Sequence, residues 1–219
     1  MTDRAAFFNA IRAPLFGGHL TASQVDGMIR ILDYMDAKPV LDVRWRAYML
    51  ATTFHETGAT IQPVREAGGE AYLRSKPYYP WVGEGLVQVT WEVNARKFGA
   101  LQPGDCMTWP VALRALVDGM VGGMFTGRKL GQYFAAKVDD PVNARRIING
   151  LDRAEMVAGY HRQFLAALGG LPVAVQPQQL HGRPSPVSAP MVRPVPVASA
   201  GDAETDRLNA ASLEAARAG

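Results

Sequence analysis

Seven of the chain's fifteen prolines fall between Pro172 and Pro196. Each proline fixes φ and removes a backbone donor, so this stretch cannot form regular helix and favours extended, solvated chain. It also carries almost no charge and shows no hydrophobic period. Residues 171–219 are therefore expected to be a Pro/Ala-rich linker or disordered tail. Within it, Asp202–Ala218 is alanine-rich, but a helix of about 15 residues is marginal alone. The folded domain must then lie in residues 1–170. The chain is 48% hydrophobic and 20% charged over 219 residues. That is enough apolar material for a core and excludes a wholly disordered protein.

The net charge is +3, with an isoelectric point near 9.1. This excess is too small to argue for nucleic acid, and no helix carries a cluster of basic residues, so no nucleic-acid partner is expected. It does suit a polyanionic partner such as a bacterial envelope. The single cysteine, Cys106, cannot form an internal disulfide. His19, His55, His161 and His181 are scattered without ligand spacing. Ala59 stands where a zinc helix would repeat the histidine of His55-Glu56. No metal and no cofactor is expected. Met1–Phe16 is short, amphipathic and charged at Asp3, Arg4 and Arg12, so no signal peptide is expected. No apolar run approaches ~18 residues, so no membrane insertion is expected.

The first 170 residues read as about seven helices and little sheet. Asp3–Arg12 puts Phe7, Phe8 and Ile11 on one side. Thr21 and Gln24 form a capping box for a helix through Met35. Asp42–Thr57 is a third helix, closed by Gly58. Leu86–Thr90 reads as a short strand, with Leu86, Gln88 and Thr90 on one face and Val87 and Val89 on the other. Glu92–Phe98 is a short helix closed by Gly99. Thr108 caps a helix with Pro110 in its first turn, running toward Phe125. Asp140-Pro141 opens another, cut by the Asn149-Gly150 turn. Asp152 and Glu155 form a second capping box for a helix to Gly169.

Chemistry-bearing residues cluster in the middle of the chain. Trp45, Met49, Thr52 and Glu56 share one helical stripe, which sets the Glu56 carboxyl near apolar neighbours. Desolvation there favours the protonated form, as a general acid requires. The competing reading is a helix-end glutamate paired with Arg46 or Arg65. Glu66, Glu70 and Glu84 are three candidates for a second carboxylate, and each equally fits a solvated surface charge. Tyr78-Tyr79-Pro80-Trp81 offers aromatic faces for sugars, or a loop pinned to the core. Gln88 and Thr90 would present amide and hydroxyl groups side by side. Arg145-Arg146-Ile147-Ile148-Asn149-Gly150 places two cations at a helix end, favourable without any function. Its Asn149 is a candidate substrate contact. His161 reads as structural.

Three of these stretches, in chain order, resemble elements of the glycoside hydrolase family 19 superfamily of chitinases and lysozyme-like phage endolysins. They are FHETG (Phe54–Gly58), YYPWVGEGLVQVTWEVN (Tyr78–Asn94) and RRIING (Arg145–Gly150), and the resemblance covers roughly Ala47 to Leu168. It implies a mainly α-helical, lysozyme-like domain of two lobes around a cleft, with a short β-hairpin on the cleft wall. It implies an inverting glycosidase cleaving β-1,4 bonds between N-acetylated amino sugars. Glu56 then matches the general acid and Glu66 the second acid. Tyr79, Gln88, Thr90, Asn94 and Asn149 match substrate-cleft positions. The chain departs from the family at Gly83-Glu84-Gly85, where an arginine usually stands between the glycines. Glu84 thus either takes part in acid–base work or rearranges sugar contacts. Pro80-Trp81-Val82 is an insertion on the same wall. Inversion requires the two carboxyls about 6.5–9.5 Å apart, with water between.

The expected substrate is peptidoglycan, with chitin as the alternative, acted on by a monomer. A chain without a signal peptide would stay in the producing cell's cytoplasm until lysis, or travel in a virion, which points to a phage or prophage. The rival is a non-catalytic cell-wall-binding or virion protein that keeps the fold.

Overall fold

The computed structural model describes residues 3–39 and 41–169. The expected tail and its terminal helix lie outside the described residues. Within them the protein is mainly helical, with seven α-helices: α1 Arg4–Phe16, α2 Ala22–Asp36, α3 Val43–Glu56, α4 Glu70–Arg74, α5 Glu92–Lys97, α6 Trp109–Gly122 and α7 Ala154–Ala167. Two two-stranded antiparallel sheets accompany them: β1 Val64–Arg65 with β2 Glu84–Gly85, and β3 Phe134–Ala135 with β4 Val138–Asp139. Among the described residues no helix is long and apolar enough to cross a membrane.

The centre of the fold is α3. Every residue from Ala47 to Phe54 is buried, so this helix is covered on all sides rather than along one stripe. It packs mainly on α7, which also packs on α1, while α2 and α6 close the remaining sides. Aromatic rings knit these helices together. Phe54 meets Tyr160 edge-on at 4.6 Å and Phe16 at 5.2 Å, and Phe164 lies 6.1 Å from Phe54 and 6.4 Å from Phe7. Burying a phenylalanine side chain contributes about 1.5–3 kcal/mol, so this cluster anchors the C-terminal end of α3, where Glu56 sits. A close backbone approach fixes the segment leaving α3: a Cβ on Gly27 of α2 would lie 2.1 Å from the Ile61 carbonyl oxygen.

The capping box of Thr21 and Gln24 is present in full, with both reciprocal hydrogen bonds. Asp42 caps α3 through its side chain onto the Arg44 amide. Three local expectations differ. Asp152 and Glu155 form no capping box; α7 starts after Arg153, whose left-handed backbone (φ 55°) and unbonded side chain replace it. The segment after Asp140-Pro141 is a 3-10 turn, Asn143–Ile147, not an α-helix. Leu86–Thr90 is not a strand. Residues 86–88 are a turn, closed by paired backbone hydrogen bonds between Glu84 and Val89. Leu86, Val87 and Val89 are all buried, so alternation fails because the turn folds all three onto the core.

Candidate active site

Glu56 is the last residue of α3, a position where the helix's free carbonyls disfavour an anion. Its side chain is 15% exposed, and Oε1 accepts a hydrogen bond from Arg145 Nη1 at 2.6 Å. Arg145 comes from the 3-10 turn and is 2% exposed; its Nε donates to the Asp152 carbonyl at 3.2 Å. The guanidinium is thus held at two points and offsets the helix end. The apolar setting expected for Glu56 is absent: its neighbour is a buried cation, and neither Arg46 nor Arg65 is its partner. Asn149 lies on the same side. Its amide donates to the Arg145 carbonyl at 3.0 Å, and its side-chain oxygen accepts from Gly150 N.

The second cluster is built by the short β1–β2 ladder. Glu66 follows β1 directly, its amide donating to the Gly83 carbonyl at 2.6 Å. The carboxylate is 3% exposed. Oε1 accepts from the Tyr78 hydroxyl and Oε2 from the Gly83 amide, both at 2.8 Å. Burial, then Glu66 itself, raise the Tyr78 hydroxyl well above the ordinary tyrosine range, so it remains a donor. Glu66 is therefore a buried, preorganised acceptor rather than a residue on an open loop.

Three oxygens converge beside Gly83. A Cβ placed there would lie 3.0 Å from Gln88 Oε1, 3.3 Å from Glu66 Oε2 and 3.4 Å from Thr90 Oγ1. Gln88 Nε2 donates to the Val64 carbonyl at 2.9 Å, which leaves Oε1 turned to this niche. The Thr90 hydroxyl donates to the Gln88 carbonyl at 3.1 Å, so its lone pairs remain. The niche presents acceptors alone and fits a hydrogen-bond donor. Asn94, on α5, supports its floor by donating to the Thr90 carbonyl at 3.0 Å. Gln88 (φ 54°) and Trp91 (φ 73°) hold left-handed backbone on either side. For non-glycine residues this costs of order 1–3 kcal/mol each and tends to cluster at functional sites.

Glu84 lies elsewhere. Alternation along β2 sends it to the face opposite Gly83, where Oε2 accepts from the Gly104 amide at 3.1 Å. Burial pushes its carboxyl up, with the Gly104 hydrogen bond and Arg65 opposing. Tyr79 donates to Glu70 Oε1 at 2.8 Å, beneath the Arg74 guanidinium. Glu70 is exposed and also pairs with Arg65 and Arg74. Sequence reasoning missed Arg145 and Tyr78 as site residues. The first looked like any helix-end cation, and the second like a loop anchor. Among the described residues no group of three or more His, Cys, Asp or Glu side chains converges as for a metal.

No family model, curated protein or solved structure gives a significant match to the chain.

Proposed function

We propose that the protein is a lysozyme-like glycoside hydrolase cleaving β-1,4 bonds between N-acetylated amino sugars, with peptidoglycan as its polymer. The observation that carries this reading is the acceptor niche of Glu66, Gln88 and Thr90 beside Gly83. A water donating both hydrogens into the niche keeps a lone pair facing outward, poised for an anomeric carbon. As it attacks, Glu66 takes one proton. Glu56 supplies the other proton to the leaving oxygen: Arg145 occupies Oε1, and Oε2 has no hydrogen-bond partner among the described residues. The two carboxyls come from different elements, α3 and the β1–β2 ladder, as opposite walls of a two-lobed cleft require. Asn149 beside Glu56, and Tyr79 at the rim, are the proposed sugar contacts. The resemblance to family 19 elements runs through these same residues, and the basic net charge suits an anionic wall. The test is mass spectrometry of muropeptides released from purified walls, with Glu56→Gln as control. Release by the wild type alone supports the reading; no release by either refutes it.

A second reading, a wall-binding protein without catalysis, draws on a specific feature. Glu56 is ion-paired and both Glu66 oxygens are already hydrogen-bonded. Zymography separates the two, since a binder sediments with walls but clears none.

A further inference from the structure

Polar groups that this chemistry does not use lie around the Glu56–Arg145 pair. Tyr48, on α3, is 1% exposed, and Tyr133, just after the 3-10 turn Leu130–Gln132, is 8% exposed. Neither hydroxyl has a hydrogen-bond partner. Buried hydroxyls left unpaired are costly, and native proteins commonly satisfy them with internal water. After burial, the largest influence on the Tyr48 hydroxyl is the Arg145 charge, followed by Glu56, Tyr133 and Asp140. These groups therefore share one buried neighbourhood. The Tyr48 ring cannot swing away to find a partner, because it packs 5.3 Å from Phe134 and 5.7 Å from His161.

Arg145 completes the picture. A guanidinium carries five N–H donors, and the structure engages it through Nε to Asp152 and Nη1 to Glu56. Spare donors and unpaired hydroxyls thus face one interior region. Water can accept from a guanidinium N–H while donating to, or accepting from, a tyrosine hydroxyl. We propose that Tyr48 and Tyr133 enclose a buried water site that holds the Arg145 guanidinium in place and so positions the Glu56 carboxyl. The ligand class is one or two water molecules, and the tyrosines are positioning residues. The positioning half rests on the reading of Glu56 as proton donor; the water site does not.

The experiment compares the full-length wild type with Tyr48→Phe and Tyr133→Phe, substitutions that keep the ring and remove the hydroxyl. A crystal structure of the wild type is expected to show ordered water within hydrogen-bonding distance of Tyr48 Oη and the Arg145 guanidinium. Both variants are expected to melt at or below the wild-type temperature, since each loses a bridging water. Wall-lytic kcat should fall on the order of 10-fold, the equivalent of one hydrogen bond, with KM unchanged and the pH profile displaced. Variants that melt above the wild type, together with a dry interior, overturn the water site, because a partnerless hydroxyl is stabilising to lose. An unchanged rate and pH profile overturns the positioning role. If the wild type releases no muropeptides, the proposed function fails instead, while melting and density still decide the water site.

Discussion

Gly83→Ala adds a single methyl at the point where three oxygens converge. Its Cβ would lie 3.0 Å from Gln88 Oε1, 3.3 Å from Glu66 Oε2 and 3.4 Å from Thr90 Oγ1. The first contact is too tight, and Gln88 cannot retreat freely because Nε2 is bonded to the Val64 carbonyl. Overpacking of this kind costs about 1–3 kcal/mol. Gly83 is not among the left-handed residues, so alanine also gains about 0.4–1 kcal/mol by restricting the unfolded chain. The net loss is about 0–2.6 kcal/mol, and at roughly 2–4 °C per kcal/mol the melting temperature falls by about 10 °C at most. The variant should fold. The methyl fills the niche, however, and displaces the donor it was built to hold. Loss of base-assisted attack is expected to lower muropeptide release on the order of 10²–10⁴-fold. The assay is release rate at equal folded fraction, monitored by circular dichroism. A folded Gly83→Ala protein within about 3-fold of wild type, under 1 kcal/mol of barrier, would refute the niche as the seat of the reacting water.

Glu56→Gln should abolish lysis with an unchanged circular dichroism spectrum, and Glu66→Gln should cost on the order of 10²-fold or more, each measured as muropeptide release. Glu84→Gln should cost far less, since its carboxyl faces Gly104; a Glu84 loss exceeding that of Glu66 would transfer the base role. Arg145→Ala leaves Glu56 without its cation and the Asp152 carbonyl without its donor. A destabilisation of about 3 kcal/mol is expected in urea titrations, the low end of the range for broken buried pairs because Glu56 is partly open. Burial pushes His161 down to about 4 from 6.5, so between those values the unfolded chain binds the extra proton. Stability contributed by the neutral ring is therefore present above pH 6.5 and is lost as pH falls toward 4, by about 3 kcal/mol at most. Melting temperature against pH should be flatter for His161→Phe across this window, and equal slopes would count against the assignment.

The helical body was legible because its signals are local. Thr21 and Gln24 announce a capped start, and Asp42 caps the helix that ends at Glu56. The errors fall where a local pattern met a tertiary demand. Leu86, Val87 and Val89 alternate with polar residues only in part, and the core buries all three by turning the chain back at Gln88. Asp152 and Glu155 have capping-box spacing, yet the Asp152 carbonyl is recruited by Arg145 and the helix starts beyond it. The Glu56–Arg145 contact spans 89 positions in sequence. No period or motif links residues so far apart, and Arg146 beside it looks the same in sequence but is exposed.

The choice among Glu66, Glu70 and Glu84 shows most clearly what composition and spacing leave open. In β1 and β2, Val64 pairs with Gly85 and Arg65 with Glu84, so Glu66 stands opposite Gly83. Residues directly opposite in an antiparallel ladder share a face. Glu66 and Gly83 therefore look into the niche, while Arg65 and Glu84 look away together, and Arg65 acts on the Glu84 carboxyl there. A slip of one residue would exchange the two faces and bring Glu84 to the niche in place of Glu66. The ladder is two residues long, too short to fix its own register. What holds it is side-chain chemistry around it: the Gly83 amide on Glu66 Oε2, the Tyr78 hydroxyl on Oε1, Gln88 on the Val64 carbonyl and Gly104 on Glu84. The residues proposed to do chemistry are thus the same ones that lock the strand pairing. Substitution at Glu66 consequently tests function cleanly only in the isosteric form, Glu66→Gln, where one oxygen remains to accept from Tyr78 or Gly83.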